Sequence, residues 1–561
     1  MEAVQALLFD TRSIQKFIFS GNRLKTNIGA SYLVDHVFDN QLMEVLEADA
    51  TDLEVDKDSW HQELAIEKLQ GHRQCVVAAN GGGNALLLFS MDVPHEELIQ
   101  IVRRFSTLVL EKIPGLHLGA ACGKLRLSDK EFQADLKELF QQLKLVQNRV
   151  FPVVNIPYTG LTLTCPINGE AANYYDPAAS IVKSEERGQR FCSQETAVKV
   201  EAAHAANVAL EREISKYSSI CSRFAFPLEL EELGQIEREK NYFAITHIDG
   251  NNMGEKFRAC RTQSERSRLS ENVRRKTWGC FIRLLESIES EYGNYLERHA
   301  LDLGGKQKKD EQERPYLPIR PIILGGDDVT FVCPAKMAIP YVKRFMEYLL
   351  DENSVEGIEA EEARRIDSCG GIAILKTTYP FFRGYQLAEQ LCEAAKQRMR
   401  REKQAHPEAP GTSWLDFAIL HGEQAPTLEQ IRRQEYSGAG GEGGMHFGPY
   451  QVGHEAGGAL RDHRHDIENL IEAVGQFHQG KHTPKGAGCM ARSKAKELRF
   501  VLQHGPAEIN RFLAQLAHMG QDLPEIEAWE AYRQTGNALW SGGETPYVDA
   551  IELMEFLYEE G

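Results

Sequence analysis

Residues 242–254, YFAITHIDGNNMG, and 319–333, IRPIILGGDDVTFVC, decide how this chain is read. The first is an apolar, β-branched and aromatic run that ends in Asp249 and turns through Gly250 and Gly254, the pattern of a strand delivering one acidic side chain to a loop. The second is two such runs meeting at Gly325-Gly326-Asp327-Asp328. Glycines in that turn permit positive φ and let a phosphate approach the backbone closely. Outward from these, a helix is expected near 265–298, a second near 339–352 and a strand at 370–375 (GGIAIL). This βαββαβ order sets the first strand beside the central hairpin in an antiparallel sheet with helices on one face, the ferredoxin-like arrangement. Asp249, Asp327 and Asp328 then converge as hard oxygen ligands suited to Mg²⁺. Two such ions roughly 4 Å apart activate an attacking hydroxyl and stabilise a leaving pyrophosphate. Phosphoryl transfer asks for little beyond positioning and charge neutralisation. A solitary GGDD is as readily a surface turn; its pairing with Asp249 favours catalysis.

The first 122 residues repeat the order. Strands are expected at 3–10, 74–79, 85–90 and 116–122, with helices near 29–48 and 95–113. Asp10 ends the first strand as Asp249 does, and Gly81-Gly82-Gly83-Asn84 stands where Gly325-Gly326-Asp327-Asp328 stands in the second copy. The chain therefore carries a duplicated unit. The fold class is α+β, with two tandem ferredoxin-like palm domains, a helical connector and a helical C-terminal domain. The expected limits are 1–158 for the first palm, 159–238 for the connector, 239–436 for the second palm and 437–561 for the C-terminal helices. Gly438–Gly448 reads as a flexible break, and Gly304–Pro315 as a charged surface insertion without an assigned role.

Only one acidic group remains in the first copy, too few for a two-metal site, so catalysis is expected on the second palm alone. The first copy is still a candidate nucleotide binder through Gly82 and Gly83. Ile28-Gly29-Ala30-Ser31-Tyr32 is read as opening a helix, where free amides and Ser31 meet phosphate or base; an ordinary packed helix turn is the competing reading. In FFRGYQLAEQLCEAAKQRMRR, Lys396 lies beside the apolar stripe Leu387, Leu391, Ala395 and reaches a triphosphate as a point charge, or is simply a solvated helix lysine. Gly325, Gly326 and Asn252 complete the nucleotide-binding candidates.

Charge and composition bound the partners. With 64 basic against 82 acidic residues the net charge is −18, which argues against coating nucleic acid by bulk electrostatics. Arg274-Arg275-Lys276 and Arg398-Met399-Arg400-Arg401 are candidates for a local basic groove, or else solvated helix faces. The N-terminus lacks a signal-peptide pattern and no apolar run reaches the ~20 residues of a membrane span. The eleven cysteines never form C-x-x-C, as in reduced thiols of a cytoplasmic protein.

The paired palms, with SIQKFIFSGNRLKTNIGASYLV opening the first, HIDGNNMG and GGDD in the second, and TSWLDFAIL after them, resemble the large subunit of type III CRISPR effector complexes, within the wider GGDEF and palm-polymerase group. The resemblance implies synthesis of cyclic oligoadenylates from ATP with Mg²⁺ or Mn²⁺, in a complex of guide RNA and backbone subunits switched on by target RNA. It makes Asp249, Asp327 and Asp328 metal ligands and places Ser31 at a second nucleotide. The sequence departs from that pattern in three ways. The first palm starts at residue 1, without the histidine-aspartate nuclease domain, and Asp462-His463-Arg464-His465-Asp466 is misplaced to replace it, so no DNA cleavage is expected. Cys165-Pro166-Ile167-Asn168 keeps one cysteine of a zinc pair, so no zinc is expected. Asn251 stands where relatives carry a second acid. A synthase of cyclic dinucleotides or other oligonucleotides acting alone, and a guide-RNA scaffold with a nucleotide-sensing palm, remain as alternatives.

Overall fold

The computed structural model describes residues 3–48, 52–56, 69, 71–127, 131–148, 160, 162–176, 181, 190–233, 242–298, 309–407, 411–422, 427–438, 443–453, 463–479, 490–534, 536 and 538–557. Asp462, Cys489, the 304–308 part of the charged insertion and 439–442 of the glycine-rich break lie outside these residues.

The N-terminal sheet contains β1 (Val4–Arg12), β2 (Glu54–Asp56), β3 (Gln74–Gly81), β4 (Asn84–Phe89) and β5 (His117–Leu125) in the order β2-β3-β4-β1-β5. Within it, β3-β4-β1-β5 is the ferredoxin-like order, and β2 adds a short parallel edge. Successive residues of a strand point to opposite faces, and here both faces are apolar. Leu7 and Phe9 join one core with α2 (Leu24–Val37), reached from α1 (Ile14–Phe19), and with α3 (His95–Lys112). Val4, Ala6 and Leu8 join a second core with α4 (Phe132–Gln147) through Phe132, Leu136, Leu139 and Leu143.

The connector holds the hairpin β6 (Tyr174–Tyr175) and β7 (Phe191–Cys192), then α5 (Gln194–Ile214). Ser193 caps α5, its side chain accepting from Thr196 N, which satisfies one of the free amides of the first turn. Here Cys165 Sγ lies 3.6 Å from Thr196 Oγ1, and Asn168 Oδ1 accepts from Ser193 Oγ at 3.2 Å. α5 packs so closely on α2 that a Cβ at Gly29 would stand 1.7 Å from the Lys199 carbonyl oxygen.

The second sheet runs β13-β12-β11-β8-β10-β9: β8 (Tyr242–Gly250), β9 (Arg320–Gly325), β10 (Asp328–Pro334), β11 (Ser368–Lys376), β12 (Ser413–Ile419) and β13 (Tyr450–Val452). Its β11-β8-β10-β9 part repeats the β5-β1-β4-β3 order of the first sheet. TSWLDFAIL forms β12, parallel to β11, and β13 carries the sheet beyond residue 436 into the region expected to be helical. Helices α6 (Met253–Ala259), α7 (Gln263–Arg298), α8 (Ala338–Leu350) and α9 (Phe381–Ala405) surround it. A Cβ on Gly370 would face Val342 and Met346 of α8, and one on Gly371 would meet Ala388 and Cys392 of α9. Adjacent residues point opposite ways, so α8 and α9 cover opposite faces. The two helices inside each βαββαβ order share one face as expected, and a further helix after the fourth strand, α4 or α9, lies on the other. Strands apolar on both sides must be covered on both, and α4 and α9 supply the second cover.

The duplication extends to an irregularity. Each hairpin carries a register shift, between Val77 and Ala79 in β3 and between Ile323 and Pro321 in β9. The Ala78 carbonyl at the first accepts from Gln263 Nε2 at 2.9 Å and Ser267 Oγ at 3.1 Å of α7, joining the palms. Reciprocally, α2 of the first palm rests on β9 of the second.

After the second palm come α10 (Leu428–Glu435), α11 (Ile467–Gln479), α12 (Arg492–Val501), α13 (Pro506–His518) and α14 (Tyr547–Leu553). A buried charged network fixes them to β12. His446 lies 2.8 Å from Asp416 and 3.0 Å from Asp549, Arg432 Nη2 donates to Asp416 at 2.7 Å, and Tyr450 OH donates to Asp549 at 2.6 Å. His465 is buried and stacked on Phe447 with ring centroids 4.0 Å apart.

Candidate active site

β8 runs antiparallel between β10 and β11, and its register sets Asp249 directly opposite Asp328 on one side and Cys369 on the other. Directly opposed residues of an antiparallel pair share a face. Cys369 and Gly371 are on the same side of β11, so Asp249 and Asp328 face α9. The β9–β10 turn is Gly326-Asp327, with Gly326 at φ 56°, a conformation that costs glycine little. Thr277 Oγ1 of α7 donates to the Gly326 carbonyl at 2.5 Å. Asp327 folds over Gly250: Gly250 N donates to the Asp327 carbonyl at 3.1 Å, and a Cβ on Gly250 would lie 2.8 Å from the Asp327 Cβ. Here glycine is required by close approach.

Three side chains on α9 spaced four and seven apart, Tyr385, Glu389 and Lys396, share the face toward this hairpin. Lys396 Nζ donates to Asp249 Oδ2. Tyr385 packs edge-on to His247 with ring centroids 5.6 Å apart. Burial pushes the Asp328 carboxyl up to about 7, with Asp327 and Glu389 adding to the rise. Burial also raises Asp327, opposed by Lys256. His247 Nδ1 lies 3.4 Å from Asp328 Oδ1, but burial and then Lys396 push it down to about 4. It is neutral at physiological pH and supplies Asp328 no positive charge. Asp328 is partly open, its side chain 36% exposed, while its Oδ1 is buried and has no hydrogen-bond partner among the described residues.

An orphaned, buried carboxylate oxygen beside two further aspartates suits a hard divalent cation. Among the described residues, however, no three His, Cys, Asp or Glu side chains already form a cage: Asp249 is turned to Lys396.

The first copy shows the same frame without the acids. Asp10 pairs with Asn84 and Gly119 as Asp249 pairs with Asp328 and Cys369. Thr11 N donates to the Gly83 carbonyl at 2.8 Å, as Gly250 N does to Asp327. Gln147, the sixteenth residue of α4, donates to Asp10, and Lys396 is the sixteenth residue of α9. Burial pushes Asp10 up to about 6 against the bond from Gln147. Gly82 and Gly83 have φ of 60° and 80°, and a Cβ on Gly83 would lie 2.3 Å from both Ile14 Cδ1 and Thr11 Oγ1. Position 83 of that turn has no room for an acidic side chain.

Other expectations fall elsewhere. α2 begins at Leu24, so Ser31 lies two turns inside it and the free-amide argument is corrected, although its helix borders β9. Asn252 is exposed at φ 59° before α6. Asn251 turns its amide to the Thr412 carbonyl at 3.3 Å. Within the basic runs, Lys276 is buried against Asp351 and Ser354, Arg274 pairs with Glu271, Arg398 with Glu402 and Arg400 with Glu393. Sequence reading missed His247, Thr277 and Glu389. Period-two spacing from Asp249 and period-seven spacing from Lys396 were the available signals for the first and last.

Residues 242–405 match the family model described as Cas10/Cmr2, second palm domain. This segment is similar to that domain. The match bears out the resemblance drawn from GGDD and its upstream strand. No curated protein matches the chain. Among solved structures, the Csm1-Csm4 cassette in complex with cA4 aligns with a TM-score of 0.51 at 12% identity, covering 99% of this chain and 70% of that one. The cassette in complex with pppApApA aligns at 0.50 and 11%, covering 99% and 69%. At such identities the likeness is one of fold, and it extends over both palms, the connector and the C-terminal helices. No described helix is long and apolar enough to cross a membrane.

Proposed function

We propose that the chain is a metal-dependent nucleotidyltransferase that makes cyclic oligoadenylates from ATP in a type III CRISPR effector complex. The observation that carries the reading is Asp249 facing Asp328 across β8 and β10, with Asp327 on the adjoining glycine turn and one Asp328 oxygen unpartnered. Asp249, Asp327 and Asp328 would hold Mg²⁺ or Mn²⁺, which when bound supplies charge neutralisation at the reacting phosphate. In the reaction a 3′-hydroxyl oxygen bonds to the α-phosphorus of a second nucleotide, the bond to the bridging oxygen breaks, pyrophosphate leaves and the hydroxyl proton passes to solvent. Gly325 and Gly326 keep the turn narrow enough for phosphate to approach the backbone. Asn252, exposed at the start of α6, borders the turn that follows Asp249. Thr277 fixes the turn's height, and Lys396, once free of Asp249, adds a positive charge beside the phosphates.

The first palm lacks two of three acids and contributes nucleotide contacts without chemistry, Ser31, Gly82 and Gly83 remaining its candidates. The similar cassettes were solved with cA4 and pppApApA, which favours adenine over other bases and supports Csm-type subunits as partners. Guide RNA would assemble with them, and target RNA would activate; the site of action is the cytoplasm.

The test is incubation of the protein, alone and assembled with partner subunits and RNAs, with ATP and Mg²⁺ or Mn²⁺, followed by chromatographic separation of products. Pyrophosphate release and cyclic adenylates that vanish in Asp327→Ala/Asp328→Ala are expected. Bound ATP without turnover in every RNA condition would refute synthesis and leave a nucleotide-sensing scaffold. Cyclic dinucleotides made without RNA would mark a stand-alone synthase.

A further inference from the structure

The two copies differ at the group that meets the strand-end aspartate. In the first, where one acid remains, an uncharged amide from Gln147 bonds Asp10. In the second, where Asp249, Asp327 and Asp328 cluster with Glu389 nearby, an ammonium from Lys396 bonds Asp249. Both donors occupy the sixteenth position of helices that pack on equivalent strands, so the geometry is shared and the charge is what changed. A cation stands where acids accumulate, and a neutral donor where they do not.

We propose that Lys396 is the resident counter-ion of the acidic site: without divalent cation its ammonium holds Asp249, and cation binding requires its release. This rests on reading Asp249, Asp327 and Asp328 as cation ligands. The helix carrying Lys396 cannot retreat easily. A Cβ on Gly371 would lie 2.0 Å from the Ala388 carbonyl oxygen, so α9 is pressed onto β11 backbone to backbone. Phe19 of the first palm stacks on Tyr385 of α9 with ring centroids 3.7 Å apart. Exchange is therefore a movement of the lysine side chain, whose four-carbon stem is flexible. Lys396 and Asp249 keep 20% and 26% of their side chains exposed, so the pair is reachable from solvent. The same pairing explains why the acids do not already form a cage among the described residues: one of three is occupied.

The experiment is Mn²⁺ binding to the full chain without nucleotide, read from the electron paramagnetic resonance of free Mn²⁺. Lys396→Met is expected to tighten binding about tenfold, the equivalent of about 1.4 kcal/mol. Lys396→Gln, carrying the amide of the first copy, is expected to fall in the same direction and serves if the methionine variant does not fold. Lys396→Arg is expected to bind as weakly as wild type. In an Asp249→Asn background the Lys396→Met substitution should have no further effect. If wild type binds Mn²⁺ through Asp327 and Asp328, and Lys396→Met and Lys396→Gln are unchanged or weaker, the counter-ion role is overturned while the cation site stands. If Asp327→Asn/Asp328→Asn leaves Mn²⁺ binding unaltered, or wild type and both Lys396 variants bind none, the cation site itself falls, and the counter-ion with it.

Discussion

Replacing His446 by glutamine should loosen the C-terminal helices at pH 6.5 and do so progressively less as pH rises to 9. The imidazole is buried between Asp416 and Asp549, at 2.8 and 3.0 Å. Burial and Arg432 oppose its charge, but the two carboxylates win and raise it to about 9 from 6.5. A folded-state value above the unfolded one contributes stability that is complete below pH 6.5 and lost as pH climbs through 9. At about 1.4 kcal/mol per unit the rise is worth about 3 kcal/mol, comparable to the cost of breaking a buried pair by removing one partner. Asp416, Tyr436 and Tyr450 beside His446 hold still across this window. Asp416 is lowered despite its burial by Arg432 and His446, and Tyr436 and Tyr450 are raised far above it by burial. Hydrogen exchange of Tyr547–Leu553, which carries Asp549, measures local opening. After correction for intrinsic rates, wild type should exceed His446→Gln in protection by about 3 kcal/mol at pH 6.5, the gap closing by pH 9.5. A gap of constant size from pH 6 to 9.5 would refute a charged His446 as the fastening.

Gly29→Ala should destabilise the joint between α2 and the connector by about 3 kcal/mol, seen as a lowered thermal midpoint, because its Cβ meets the Lys199 carbonyl oxygen at 1.7 Å. Phe19→Ala should cost about 3–5 kcal/mol in chemical denaturation, since Phe19 is fully buried against Tyr385 and Phe381; Phe19→Leu should recover most of it. Restoring the acids to the silent copy, Gly83→Asp with Asn84→Asp, should lower the melting temperature without adding a Mn²⁺ site, because residue 83 is at φ 80° and hemmed by Ile14 and Thr11.

The duplication and the hairpin chemistry were legible because each is written in contiguous residues. An apolar run ending in Asp, followed by a glycine turn with or without acids, needs no tertiary information, and the paired registers Asp10–Asn84 and Asp249–Asp328 follow from it. Less legible was what covers the far face of each sheet. The amphipathic pattern of α9 announces an apolar stripe without saying which face of which sheet receives it. α2 starts at Leu24, ahead of the expected opening near residue 29, and Gly29 lies inside the helix, where close packing on α5 demands it.

By itself the sequence determined two palms, one armed and one blank, since turn chemistry and strand periodicity act over a few neighbouring residues. Only the tertiary structure decided which charges meet. Lys396 reaches Asp249 across 147 positions, and His446 reaches Asp549 across 103. A lysine on a helix looks the same whether it faces water or an aspartate. Its partner is set by packing of helix on sheet, where Gly371 lets α9 descend far enough for the ammonium to arrive.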